Sequence, residues 1–73
     1  MTEQEAINLA WSFIRQANYD VRGVKSVGRF VDEGAFWLVQ FGLPIPPGEK
    51  WSVESIHVRV YDATGRVDTV KSL

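Results

Sequence analysis

Val53-Glu54-Ser55-Ile56-His57-Val58-Arg59-Val60-Tyr61 alternates apolar and polar side chains more cleanly than any other stretch of the chain. Ile56, Val58 and Val60 point one way and His57, Arg59 and Tyr61 the other, the period of a strand with one buried face. Asp62-Ala63-Thr64-Gly65 follows as a turn signal, and Arg66 to Val70 resumes as a short last strand. On the other side of the alternating run, Leu43 to Lys50 holds all three prolines, Pro44, Pro46 and Pro47, and then Gly48. That segment cannot supply a regular ladder and reads as a loop. Before it stands Phe36-Trp37-Leu38-Val39-Gln40-Phe41, a second strand. Asp32-Glu33-Gly34 separates this from Val24 to Val31, which is β-rich and interrupted by Gly28, a sign of a bulge or of room for the helix. The result is an antiparallel meander of three or four strands.

Ahead of the sheet the period lengthens to that of a helix. Thr2 and Glu5 have the spacing of a capping box, and Glu3 and Glu5 sit where the helix dipole favours negative charge. Ala6, Ala10, Phe13 and Ala17 fall on one line, flanked by Ile7, Leu9 and Ile14, with Trp11 at its edge. The pattern predicts a helix from about Glu3 to Ala17, and its alanines predict close approach to a flat surface. The fold expected is α+β, a single domain over residues 1–73. One N-terminal helix packs on one face of a three- to four-stranded antiparallel meander sheet.

The composition supports a small packed domain. The chain has 73 residues, 45% apolar and 23% charged, which excludes a disordered acidic tail and a coiled coil. Eight basic against nine acidic residues leave a formal charge of -1, so no basic excess drives phosphate binding. There is no cysteine and one histidine, His57. Disulfides, zinc ribbons and thiol nucleophiles are therefore absent, and no metal or other cofactor is expected. Met1-Thr2-Glu3-Gln4-Glu5 lacks the positive start and apolar run of a secretory leader. No stretch approaches the roughly eighteen apolar residues of a membrane span. The expectation is a cytoplasmic protein with no membrane partner.

The faces of the sheet carry the functional reading. A hairpin turning at Glu33-Gly34 pairs Val31 with Phe36 and Phe30 with Trp37, and paired residues share a face. One face then holds Phe30, Trp37, Val39 and Phe41 with Ile56, Val58 and Val60, and belongs to the helix. The other holds Val27, Arg29, Val31, Phe36, Leu38, Gln40, His57, Arg59 and Tyr61. A solvated face would alternate to charges and threonines. Here Val31, Phe36, Leu38 and Tyr61 make an apolar island rimmed by Arg29, Arg59, His57 and Gln40, and Tyr and Arg are enriched at binding hot spots. Arg29, Val31, Phe36, Leu38, His57, Arg59 and Tyr61 are the expected partner-binding residues. The plainer reading is a face partly covered by the Pro-rich loop and Trp51. A register slip of one residue would exchange the faces.

Catalytic constellations are weak. His57 can be drawn with Asp62 or Glu54 and with Ser52 or Ser55 as a triad, but nothing marks a pocket or an oxyanion hole. Asp32-Glu33 sits in a wet turn. The glycines are scattered and form no phosphate cradle. A helix followed by three strands also opens the double-stranded RNA-binding fold, which needs a basic stripe and a closing helix. Val67 to Leu73 is too short for that helix, and the basic residues are interleaved with acids. Neither catalysis nor nucleic-acid binding is expected.

Glu5-Ala6-Ile7-Asn8-Leu9-Ala10 resembles the opening of the helix in PepSY-type domains. Tyr61-Asp62-Ala63-Thr64-Gly65-Arg66-Val67 resembles their closing hairpin, one residue shorter in the turn. Small immunity proteins of bacterial toxin systems share a similar order of helix and strands. The resemblance implies a non-catalytic module that binds or inhibits a protein, without a cofactor. The expected function is non-enzymatic protein binding through the exposed sheet face or the Pro-rich loop. The alternatives are a self-associating homodimer and a small-molecule binder with a pocket near Trp37 and Trp51.

Overall fold

A computed structural model describes residues 1–31, 34–45, 47–48 and 55–71. Helix α1 (Glu3–Gln16) is followed by strands β1 (Gly23–Phe30), β2 (Phe36–Gly42), β3 (Ser55–Tyr61) and β4 (Val67–Lys71). The strands form one antiparallel sheet in the order β1-β2-β3-β4. The helix packs on one face of this sheet, over β2, β3 and β4. The expected α+β fold is the one observed, with four strands. The expected turn at Asp32-Glu33 and the start of the third strand at Val53 lie outside the described residues.

The helix is closed at both ends by its own sequence. The Glu5 amide donates to Thr2 Oγ1 at 3.2 Å, and the Thr2 amide donates back to Glu5 Oε1 at 3.1 Å, the reciprocal capping box. At the other end Asn18 takes a left-handed conformation, φ 59°. The Asn18 amide donates to the Arg15 carbonyl and the Tyr19 amide to the Ile14 carbonyl. This is the Schellman pattern, and the Phe13 and Tyr19 rings, 6.5 Å apart, supply its usual hydrophobic contact. Helix formation therefore stops at Gln16, and Ala17 becomes an exposed cap, not a member of the buried line.

The core lies between helix and sheet. Ala6, Ala10 and Ile14 meet Val39, Phe41, Ile56, Val58 and Val60, all buried. Ala6 and Ala10 have no side chain beyond Cβ, so the helix axis settles close to the strands, as the alanine pattern predicts. Trp11 closes one side of the core with its ring edge-on to Phe41, centroids 4.9 Å apart. Each fully buried Val, Ile or Phe contributes about 1.5–3 kcal/mol of transfer free energy.

Strand β1 departs from the expected register. Phe30 pairs with Phe36 and Arg29 with Trp37, one residue away from the pairing that a turn at Glu33-Gly34 gives. The connection is longer, residues 31–35, and the slip exchanges the faces of β1. Phe30 stands on the face away from the helix. Arg29 and Val27 stand on the helix side. A bulge at Lys25, between Val24 and Ser26, then lets Val24 and Val27 share a face although they are three residues apart. The bulge is thus at Lys25 and not at Gly28. Gly28 makes room on the outer face, not for the helix. A Cβ there would come within 3.2 Å of the Phe30 ring.

Candidate protein-binding face

The sheet face opposite the helix is covered by no helix or strand among the described residues. Its geometry follows from the register. The row nearest the hairpin end is Phe30, Phe36 and Tyr61, one from each of three neighbouring strands. The next row is Gly28, Leu38, Arg59 and Asp68, and the next Ser26, Gln40 and His57.

The first row is a continuous aromatic ladder. The Phe30 and Phe36 rings stack with centroids 5.4 Å apart and planes 18° from parallel. Phe36 and Tyr61 follow at 5.7 Å with a tilt of 47°. The Arg66 guanidinium closes the row, its Cζ 4.7 Å from the Tyr61 ring centre. The hairpin turn Asp62-Ala63-Thr64-Gly65 sets this last contact. The Gly65 amide donates to the Tyr61 carbonyl at 2.8 Å and the Tyr61 amide to the Arg66 carbonyl at 2.9 Å, which holds Arg66 opposite Tyr61. Gly65 has φ +70°, a conformation open to glycine at little cost. Phe30 at the sheet edge is 44% exposed, and Phe36 and Tyr61 are half-buried by their neighbours.

Beside the ladder lies an ionic cluster. Arg59 Nε donates to Asp68 Oδ1 at 2.8 Å, and Arg66 Nη2 lies 3.5 Å from Asp68 Oδ2. One carboxylate therefore serves two guanidinium groups. Arg66 is the looser partner, with two-thirds of its side chain exposed. A shallow concavity of about 270 Å³ opens at the same end, lined by Gly34, Ala35, Tyr61, Ala63, Thr64 and Arg66. Between the third row and the next, where Ser55 pairs with Gly42, Ser55 Oγ and His57 Nε2 are 3.0 Å apart, with Ser55 buried.

Of the expected binding residues, Phe36, Leu38, His57, Arg59 and Tyr61 share this face. Arg29 does not, and this corrects its place on the outer island. It reaches across the helix-side face, 5.1 Å above the Trp37 ring, and pairs with Asp62 Oδ2. Val31 lies past the end of β1, 73% exposed and outside the sheet. Phe30 takes the place expected for Val31 beside Phe36. Sequence reasoning missed Phe30, because a five-residue connection and a tight turn fit the same residues. Sequence reasoning also missed Arg66, although a four-residue turn at Asp62–Gly65 is a signal that sets it beside Tyr61.

Asp62 explains why Arg29 is drawn across. Its carboxylate accepts from the Trp37 indole N–H at 3.2 Å and from the Met1 ammonium at 3.3 Å, besides its ion pair with Arg29. Partial burial pushes its pKa up, but these three donors outweigh that and hold it below the ordinary value of 3.8. Asp62 is thereby committed to Trp37 and Arg29 and does not complete a triad with Ser55 and His57. Ser52, Glu54 and Trp51 lie outside the described residues. Trp37 packs against the core below Arg29. Among the described residues, no three His, Asp or Glu cluster as metal ligands. No described helix is long and apolar enough to cross a membrane. Compared with known proteins, the chain matches no family model, no curated protein and no solved structure.

Proposed function

We propose that the chain is a non-enzymatic protein-binding module that docks a partner on the uncovered sheet face. The observation that carries this reading is the in-register ladder of Phe30, Phe36 and Tyr61 on that face, rimmed by Arg59, Arg66 and His57. Stacked rings opening onto solvent are poorly used by the fold, and aromatic and arginine side chains are those that dominate binding energy. The concavity at the hairpin end is open and just under the usual 300–1,000 Å³ of small-molecule pockets, so it extends the docking face more naturally than it forms a separate ligand site.

The test begins with molar mass by light scattering across a wide concentration range. Affinity capture with the wild type and with Phe36→Asp then follows. The expected result is a monomer whose specific captures vanish in folded Phe36→Asp. A stable dimer that Phe36→Asp converts into a folded monomer would assign the ladder to a second copy. Captures unchanged by folded Phe36→Asp would move docking off this face.

A further inference from the structure

The charge around the ladder narrows what can dock there. On the outer face the described residues place two guanidinium groups, Arg59 and Arg66, against one carboxylate, Asp68. The sheet's other described carboxylate, Asp62, is taken up on the far side by Arg29, Trp37 and the amino terminus. The face as described is therefore cationic, although the whole chain is not. Arg66 holds Asp68 only at 3.5 Å and presents the rest of its planar fork to solvent from above the Tyr61 ring. A guanidinium pre-oriented on an aromatic ring beside an open concavity is arranged to take a carboxylate in a forked contact.

From this juxtaposition we infer that the partner presents a short acidic segment, with a large apolar side chain seated on Phe30, Phe36 and Tyr61 and a neighbouring Asp or Glu paired with Arg66. The inference rests on the docking reading given above and adds the chemistry of the occupant. A second copy fits less well, because the one carboxylate that the described residues of this face could offer to Arg66 of another copy, Asp68, is already held by Arg59. Single-stranded nucleic acid also stacks on aromatic rows, but its affinity scales with the number of phosphates neutralised, and the described face offers only two guanidinium groups, one of them held by Asp68 at 2.8 Å.

The experiment is selection from a displayed random peptide library on the immobilised full chain. The selected peptides are then titrated against wild type, Arg66→Glu and Phe30→Asp. Both substituted side chains are exposed, and thermal unfolding by circular dichroism confirms that each variant is folded. The expected result is enrichment of Asp or Glu close to an aromatic or large aliphatic residue. Binding should weaken about tenfold or more in Arg66→Glu, because the charge reversal faces the carboxylate, and should also weaken in Phe30→Asp. Peptides without an acidic bias, sensitive to Phe30→Asp and indifferent to Arg66→Glu, would overturn the acidic partner and leave the docking face standing. Peptides bound equally by all three proteins, or no enrichment, would overturn both. A single-stranded oligothymidylate that binds the wild type and not Phe30→Asp would replace the acidic segment with nucleic acid.

Discussion

The two faces of the sheet are built from the same strands, residue by alternate residue, and they have opposite fates. On the helix side Val39, Phe41, Val58 and Val60 are fully buried beneath Ala6, Ala10 and Ile14. On the other side Phe30, Phe36 and Tyr61 cover one another only in part, by stacked and tilted ring contacts, and meet no second layer among the described residues. The first face spends its apolar surface on the fold. The second leaves Phe30 exposed and Phe36 and Tyr61 half-buried, and adds only the modest energy of ring pairs. The difference teaches that stability and binding are separable here, one to each face. Substitutions should sort by face more than by residue type.

The largest contrast is between two charges placed one on each face. Val58→Asp buries an unpaired carboxylate in the centre of the core, a cost of several kcal/mol that a domain of this size cannot absorb. The expected outcome is loss of cooperative thermal unfolding by circular dichroism. Phe36→Asp removes two ring contacts worth about 0.5–1.5 kcal/mol each and should leave a folded domain with a lowered melting temperature. If Phe36→Asp unfolded the chain as completely as Val58→Asp, the division between the faces would fail.

A smaller effect is expected at the helix start. Thr2→Ala removes the acceptor for the Glu5 amide and should cost about 1 kcal/mol, read as a shift in the urea midpoint at unchanged slope. Because the cap serves the sealed face, the same variant should leave binding at the ladder unchanged.

The subtlest effect is one of pH. The folded-state pKa of Asp62 lies below its unfolded value, so its donors stabilise the fold at pH above the unfolded pKa near 3.8. That contribution should fade as pH falls through the lower, folded pKa. Asp62→Asn should flatten this part of the acid limb of stability against pH, and urea midpoints taken between about pH 5 and pH 2 would show it. An acid limb identical to the wild type would remove Asp62 from the account.

How much of this was legible in the sequence also divides by region. Strand β3 carries strict alternation, and its faces came out as expected. The helix carries its caps in its own residues, Thr2, Glu5 and Asn18, and its boundaries followed to within a residue. Strand β1 carries Val24, Val27, Phe30 and Val31, which fit neither alternation. Its register depends on the bulge at Lys25 and on a connection longer than a tight turn. Both are settled by tertiary contacts that local sequence does not encode. Stacking of Phe30 on Phe36 favours the observed register, and so does the attraction of Arg29 to Trp37 and Asp62. That one-residue slip replaced Arg29 and Val31 with Phe30 in the candidate site. The five site residues on β2 and β3 stayed where the alternation put them.

The most direct measurement of the central claim is solvent paramagnetic relaxation by NMR, with a soluble gadolinium chelate and side-chain-resolved spectra of the wild-type chain at several concentrations. The account predicts strong relaxation of the Phe30, Phe36 and Tyr61 ring protons at every concentration, with the Val39, Val58 and Val60 methyls protected. Ring protons as protected as those methyls would show that the ladder is already covered, and would contradict a face left open for a partner.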